Sequence, residues 1–256
     1  MSMSMSISKI YGISYTSRKF NDRYNNIVNL GNACGLFDKF TCFREQDIDN
    51  NFKDKYKDIW NCSQGGGYWI WKLYIISKML YQINDNDIIV YMDGGCHINI
   101  TPESKIRFDE YIDMINNSKS GLLRFQLTHK EKKFTNKKTI EYFKNKFNIN
   151  DEIMNTYLEK CQILATVIIL RKNEYTINFF KKVLEILNDD MYLFTDKYTY
   201  TNINRDEKHR HDQSIMSLLY KHMNGDLVID DETYFEEGFN SIKAKKFPFW
   251  AIRSRS

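Results

Sequence analysis

The stretch Asp87-Ile-Ile-Val-Tyr-Met-Asp93-Gly-Gly-Cys96 constrains the fold more than any other part of the chain. Ile88–Tyr91 is the densest β-branched and aromatic run in the sequence, bounded before it by the polar turn Asn84–Asp87 and after it by two glycines. Such a run reads as a buried strand. An acidic residue placed at the carboxyl end of a buried strand projects from the sheet edge into a crevice. Gly94 and Gly95 would let a bulky ligand approach the backbone there. A carboxylate in that position suits a hard divalent cation that neutralises a diphosphate. A strand-ending turn in which Asp93 only shapes the chain is the alternative from the residues alone.

Strand and helix patterns alternate on both sides of this run. Ser8–Tyr15 alternates as a strand, Asp22–Cys34 carries Ile27, Val28 and Leu30 at helical spacing, and Phe40–Phe43 reads as a second strand. Tyr68–Leu80 reads as a buried helix and Ser104–Asn116 as a helix with one apolar face. Leu122–Gln126 is a strand candidate. Lys130–Leu158 reads as charged helix with a mobile loop near Phe134–Lys138. Ile163–Leu170 is an apolar, β-branched run suited to a strand covered on both faces. Tyr175–Leu187 and Asp212–His222 read as helices, and Leu227–Ile229 as a last strand. Strands alternating with helices predict an α/β fold, in which ligands sit beyond the carboxyl ends of the strands.

Composition bounds what such a fold can do. The 256 residues fit one domain, and 42% hydrophobic with 15% aromatic residues is enough for a large core. The formal charge of +4 is mild and spread along the chain, whereas a nucleic-acid binder concentrates basic residues on one face. Cys34, Cys42, Cys62, Cys96 and Cys161 show no metal-ligand spacing, so reduced thiols are expected. Met1–Ser6 lacks the pattern of a signal peptide, and no apolar run approaches the ~20 residues of a membrane helix. These features predict a soluble, cytoplasmic protein with no membrane span, and leave homo-oligomer formation open.

Three further strings carry polar groups suited to chemistry. In Gly65-Gly-Gly-Tyr-Trp-Ile-Trp-Lys72-Leu-Tyr74, glycines opening a helix could offer backbone N–H groups to phosphate, and Lys72 could pair with its charge. Core packing is the alternative for Tyr68, Trp69 and Trp71. Lys208-His-Arg-His-Asp-Gln-Ser-Ile215 gathers two histidines, Asp212 and Gln213 at a helix start, either as a cap or as a site for metal or a sugar hydroxyl. In the tail Phe247–Arg255, aromatics could pin the terminus and leave arginines beside a phosphate site, or the arginines could be solvated.

Taken in order, these strings resemble a family of GT-A glycosyltransferases of capsule and glycan clusters and of large DNA viruses. That family shows GYWIWKPY, a strand closing on YxDxG, a QxxA strand and HDQS. The matching residues are Gly67–Tyr74, Tyr91–Gly95, Gln162–Ala165 and His211–Ser214, with Phe249–Arg253 agreeing in the tail. Leu73 stands where the family has proline. Asp93-Gly-Gly95 lacks the second carboxylate of the usual Asp-x-Asp.

The resemblance implies a single GT-A domain over residues 1–256, with a mixed, mostly parallel sheet flanked by helices. It implies transfer of a sugar from a nucleotide-diphosphate donor, UDP-sugar over GDP-sugar, to a glycan or protein-linked acceptor, leaning to retention of configuration. Donor contacts would come from Tyr15, Thr16, Arg18, Lys72, Tyr91, Asp93, Gly94, Gly95 and Arg253. Asp212 and Gln213 would face the donor sugar as catalytic residues, and Gln162 would lie on the acceptor side. A divalent cation, Mn2+ or Mg2+, would rest on Asp93 with His211. The other readings are a nucleotide-sugar-binding module without turnover and a nucleotidyltransferase. The latter should carry a glycine-rich loop after its first strand, where this chain has Ser14–Lys19 without glycine.

Overall fold

A computed structural model describes residues 8–17, 20–199 and 208–252. In chain order the strands and helices are β1 (Ile10–Tyr15), α1 (Asn21–Ala33), β2 (Lys39–Phe43), α2 (Asn50–Lys55), α3 (Lys57–Trp60), α4 (Gly65–Tyr68) and α5 (Ile70–Gln82). They continue with β3 (Ile88–Met92), β4 (His97–Ile98), α6 (Pro102–Asn117), β5 (Leu122–Lys130), α7 (Lys137–Phe147) and α8 (Asp151–Glu159). The last are β6 (Cys161–Ile163), β7 (Val167–Arg171), α9 (Glu174–Asp189), α10 (His211–His222), β8 (Val228–Asp230) and β9 (Phe249–Trp250).

Seven strands form one mixed sheet in the order β2-β1-β3-β7-β5-β6, with β8 joining through β5. β1 is parallel to both β2 and β3, and β5 is parallel to β8. β7 runs antiparallel between β3 and β5, and β6 antiparallel to β5. Five of the seven strands therefore point one way.

The period-2 alternation of β3 divides the core into two layers. Ile89 and Tyr91 pack with residues of α5, α9 and α10, including Leu73, Phe180 and Leu218. Ile88, Val90 and Met92 face the opposite side with Ile27 of α1 and Phe108, Tyr111 and Ile115 of α6. All five residues of β3 are buried, because the strand has a neighbour on each edge and helices on each face. Asp93 at its end is thereby brought to the rim of the sheet.

Several segments differ from the expectation. The run Ile163–Leu170 is two strands, β6 and β7, separated by Leu164–Thr166, and the Thr166 carbonyl accepts the Asp93 N–H at 2.9 Å. β5 reaches Lys130, beyond Gln126, because its second half pairs with β6. The charged segment after it is a 3-10 turn (Glu131–Lys133) and two helices, parted where Asn148 takes φ 52° and ends α7. Phe134, Thr135 and Asn136, expected in a mobile loop, are buried, and Asn136 caps α7 by accepting from the Thr139 N–H at 2.8 Å. β8 is not the last strand: β9 pairs antiparallel with β4 and sets Phe249 in the core. Among the described residues no helix is long and apolar enough to cross a membrane, and all five cysteines are free, Cys62 and Cys161 being half-buried.

Candidate active site

A cleft of about 1220 Å³ opens beyond the carboxyl ends of β1 and β3. Tyr15, Thr16 and Ser17 line it from β1, Asp93, Gly94 and Gly95 from β3, and Ala165 and Thr166 from the break between β6 and β7. Residues 209–213 close it from the start of α10, and Trp60, Trp69, Trp71 and Lys72 from the helical segments before β3.

Lys72 is the centre of this wall. It stands in α5, whose other residues are mostly apolar, and its side chain is 2% exposed. The ammonium donates to Asp212 Oδ2 at 2.6 Å and to the Ala165 carbonyl at 3.0 Å, and lies 3.4 Å from Asp93 Oδ1. Burial alone would pull its pKa down. Asp212 and then Asp93 outweigh that and hold it above the ordinary lysine value. Tyr91 is fully buried, and its hydroxyl donates to Asp93 Oδ1. Burial, and then the Asp93 carboxylate, push the Tyr91 phenol well above its ordinary value, so it stays a donor. Burial raises the Asp93 pKa against the pull of Lys72 and Tyr91, while its side chain keeps 29% exposure toward the cleft. Two carboxylates from sequence-distant elements thus share one buried ammonium.

The glycines act differently from the expectation. Gly65, Gly66, Gly67, Tyr68 and Trp69 all have positive φ, so the short segment α4 is a left-handed turn leading into α5, not a right-handed helix. Left-handed winding costs an L-residue roughly 1–2 kcal/mol, which glycine avoids. The N–H groups of residues 66 to 69 are taken by the carbonyls of Ser63, Cys62, Gln64 and Gly65, so they are not offered to phosphate. What the turn does instead is carry the Trp69 ring to the cleft and aim Trp71 Nε1 at the Gly65 carbonyl, 2.9 Å away. Gly94 lines the cleft, yet a Cβ there would stand 2.5 Å from the Tyr15 carbonyl oxygen. Its missing side chain lets the ends of β1 and β3 close on each other.

At the start of α10, His211 Nε2 lies 2.9 Å from Asp196 Oδ1, and its ring stacks on Trp69 at 5.3 Å. His209 donates from Nε2 to the Leu193 carbonyl at 2.7 Å and accepts from the Asn136 N–H on Nδ1 at 3.4 Å. Burial lowers its pKa to about 4, so it is a neutral structural histidine. Gln213 Oε1 accepts from the Ala165 N–H at 3.2 Å, and Gln213 Nε2 donates to Gln162 Oε1 at 2.7 Å.

Tyr15, Thr16, Lys72, Asp93, Gly94, Gly95, His211, Asp212 and Gln213 therefore line one cleft, with Tyr91 directly behind Asp93. Gln162 does not line it: the residue is fully buried behind Gln213 and spends its amide on protein partners. Arg18 and Arg253 lie outside the described residues, although Ala251, two positions before Arg253, lines the cleft. Arg23, Arg210, Glu45 and Trp60 line the cleft without having been singled out. Arg210 stood within the histidine-rich string; Arg23 and Glu45 carry no local signal. Among the described residues no group of three or more His, Cys, Asp and Glu side chains, Asp93 and His211 included, is placed to hold a metal ion. The positive charge between Asp93 and Asp212 is that of Lys72.

At the level of sequence, no family model and no curated protein matches the chain. Solved structures do match. One is a glycosyltransferase involved in glycosylation of the major capsid of PBCV-1, at 10% identity and a TM-score of 0.50, covering 94% of this chain and 92% of that one. Another is the bifunctional glycosyltransferase WbbM, at 11% identity and a TM-score of 0.52, covering 96% of this chain. The fold is GT-A. This chain spans 46% of the WbbM chain, so the GT-A fold seen here corresponds to part of that protein. In the GT-A frame, the cleft lies where the carboxyl ends of the parallel strands β1 and β3 meet, which is where α/β sheets bind ligands.

Proposed function

We propose that the protein is a glycosyltransferase that moves a sugar from a nucleotide-diphosphate donor, a UDP-sugar in preference to a GDP-sugar, to a glycan or protein-linked acceptor. One observation carries this reading: in a GT-A fold, Lys72 ties Asp93 at the end of β3 to Asp212 at the start of α10, on the wall of a cleft large enough for donor and acceptor. The apolar wall of Trp60, Trp69 and Trp71 suits flat or ring-shaped ligand parts, and Arg23 and Arg210 supply positive charge for a diphosphate. Negative charge grows on the leaving phosphate during transfer, and cations already fixed in the cleft stabilise it without reorganisation.

Asp212 and Gln213, both on the cleft wall, are the residues we assign to the donor sugar. Inversion of configuration needs a carboxylate or histidine base beside the acceptor hydroxyl. Asp93, Asp212, His209 and His211 all line the cleft, and each already has a protein partner. The lean to retention rests on the likeness of Asp212-Gln213 to the corresponding pair of related retaining transferases. A divalent cation, Mn2+ or Mg2+, would rest on Asp93 with His211, both of which line the cleft, and when bound would offset the charge on the leaving phosphate.

The test is a panel of UDP- and GDP-sugars, with Mn2+ or with chelator, scored for released nucleoside diphosphate and for thermal shift with UDP or GDP. The expected result is turnover with at least one donor. Asp93→Ala should lower it by about 100-fold or more while the protein stays folded. Absence of turnover and of any shift with either nucleotide would defeat the reading, and full activity of Asp93→Ala would misplace the site.

A further inference from the structure

Behind the cleft wall runs a chain of side-chain amides whose polarity is fixed. It starts at Glu131, fully buried in the 3-10 turn after β5. Glu131 Oε2 accepts from Lys221 Nζ at 2.6 Å and from the Ser217 hydroxyl. Glu131 Oε1 accepts from Thr135 Oγ1 at 2.6 Å and from Gln162 Nε2 at 2.9 Å. An ion-paired carboxylate has no proton to give, so the nitrogen end of Gln162 must face it. A second contact enforces the same choice. Gln162 Nε2 lies 3.3 Å from Ser214 Oγ, whose own proton is spent on the Phe134 carbonyl at 2.6 Å. The oxygen end of Gln162 is thus turned to Gln213, which can answer only with an N–H, at 2.7 Å. At its other end Gln213 meets the Ala165 N–H, which can only donate and so demands the Gln213 oxygen.

Both ends of the Gln213 amide are therefore fixed by protein groups. One N–H of Nε2 remains, with no acceptor among the described residues, on a side chain that lines the cleft. We propose that Glu131 and Gln162 are positioning residues that hold Gln213 so that it shows the bound ligand a hydrogen-bond donor and never its oxygen. Gln213 then selects an oxygen acceptor on the donor, a sugar hydroxyl or a phosphate oxygen. The inference rests on the glycosyltransferase reading for the identity of the ligand, but the orientation of Gln213 does not depend on it.

The experiment compares wild type with Gln162→Met and Gln162→Glu. Side-chain amide signals are read in protein labelled with 15N-glutamine, alongside UDP affinity and the kcat and KM of the best donor. Gln162→Met removes the acceptor that holds Gln213. The Gln213 amide signals should shift and lose protection from exchange, and kcat should fall about 10- to 100-fold; UDP affinity changes less than about twofold where the acceptor is a sugar hydroxyl and falls with kcat where it is a phosphate oxygen. In Gln162→Glu the new carboxyl faces Glu131, with Lys221 beyond it and Cys161 beside it on β6. Protonated, it donates to Glu131 and still accepts from Gln213; ionised, it repels Glu131. Activity relative to wild type should therefore be recovered at about pH 5 and lost toward about pH 9, with the Gln213 signals following it.

Unshifted Gln213 signals in Gln162→Met would overturn the inference, as would a flat relative pH profile for Gln162→Glu in a folded protein. If Gln162→Met does not fold, the Gln162→Glu profile decides. A wild type that binds neither UDP nor GDP would instead sink the glycosyltransferase reading, leaving the amide signals to judge the relay.

Discussion

Replacing Lys72 by Met tests the organisation of the cleft most directly, because it removes one charge and keeps the volume of the side chain. Lys72 lies 2.6 Å from Asp212 and 3.4 Å from Asp93 and is 2% exposed, so its loss leaves two carboxylates facing each other's field without a counter-ion. Breaking a buried pair from one side costs about 3–5 kcal/mol, mainly for the stranded charge. The lower end applies here, since Asp93 keeps 29% exposure and water can solvate it in part. A domain of this size loses about 2–4 °C of melting temperature per kcal/mol, which predicts a fall of about 6–12 °C at neutral pH. Thermal unfolding followed by circular dichroism measures this. Adding Asp212→Asn to Lys72→Met should recover part of the loss, because one of the stranded charges is gone. If Lys72→Met melts within about 2 °C of wild type, or the double variant melts at or below the single one, the ammonium is not what holds the two carboxylates.

Two further outcomes follow from the same geometry. Gly94→Ala should destabilise by about 1–3 kcal/mol, because the new methyl group would stand 2.5 Å from the Tyr15 carbonyl oxygen and 2.5 Å from Thr16 Cγ2; a melting temperature equal to wild type would show that β1 and β3 can part there at no cost. His209, with a folded pKa of about 4 against an unfolded value near 6.5, binds its proton more readily in the unfolded chain. Its contribution is therefore fully present above about pH 6.5 and is lost as pH falls toward 4, up to about 3 kcal/mol. Denaturant midpoints of wild type and His209→Gln, measured from pH 7 to 4, should show the smaller acid dependence in the variant, and parallel curves would refute the assignment.

The layers of the fold were legible because they rest on periodicity. Residues 88 to 92 had to be an inner strand, and the helical faces of α1, α6 and α9 had to cover it. Boundaries went wrong where a tertiary partner overrode the local pattern. The Ile163–Leu170 run breaks around Ala165, whose N–H and carbonyl pair with the side chains of Gln213 and Lys72, partners far away in the sequence. The triple glycine marked unusual backbone correctly, but three glycines alone cannot tell an exposed phosphate loop from a left-handed turn that satisfies its own N–H groups.

The candidate site shows the same limit. Lys72, Asp93 and Asp212 each stood out in the sequence as a polar residue beside an apolar run. A lysine inside a helix as apolar as α5 is buried unless the helix is at the surface, and a buried ammonium must have an acidic partner. That reasoning demands a carboxylate without saying which one. The answer depends on the parallel register of β1 with β3 and on β7 turning antiparallel beside them, which sets the end of β3 and the start of α10 against the same face of α5. Gln162 carried the opposite ambiguity. A polar residue next to an apolar strand points equally to a ligand or to a buried partner. Only the saturation of both ends of its amide, by Glu131 and Ser214 on one side and Gln213 on the other, assigns it to the wall that supports the cleft.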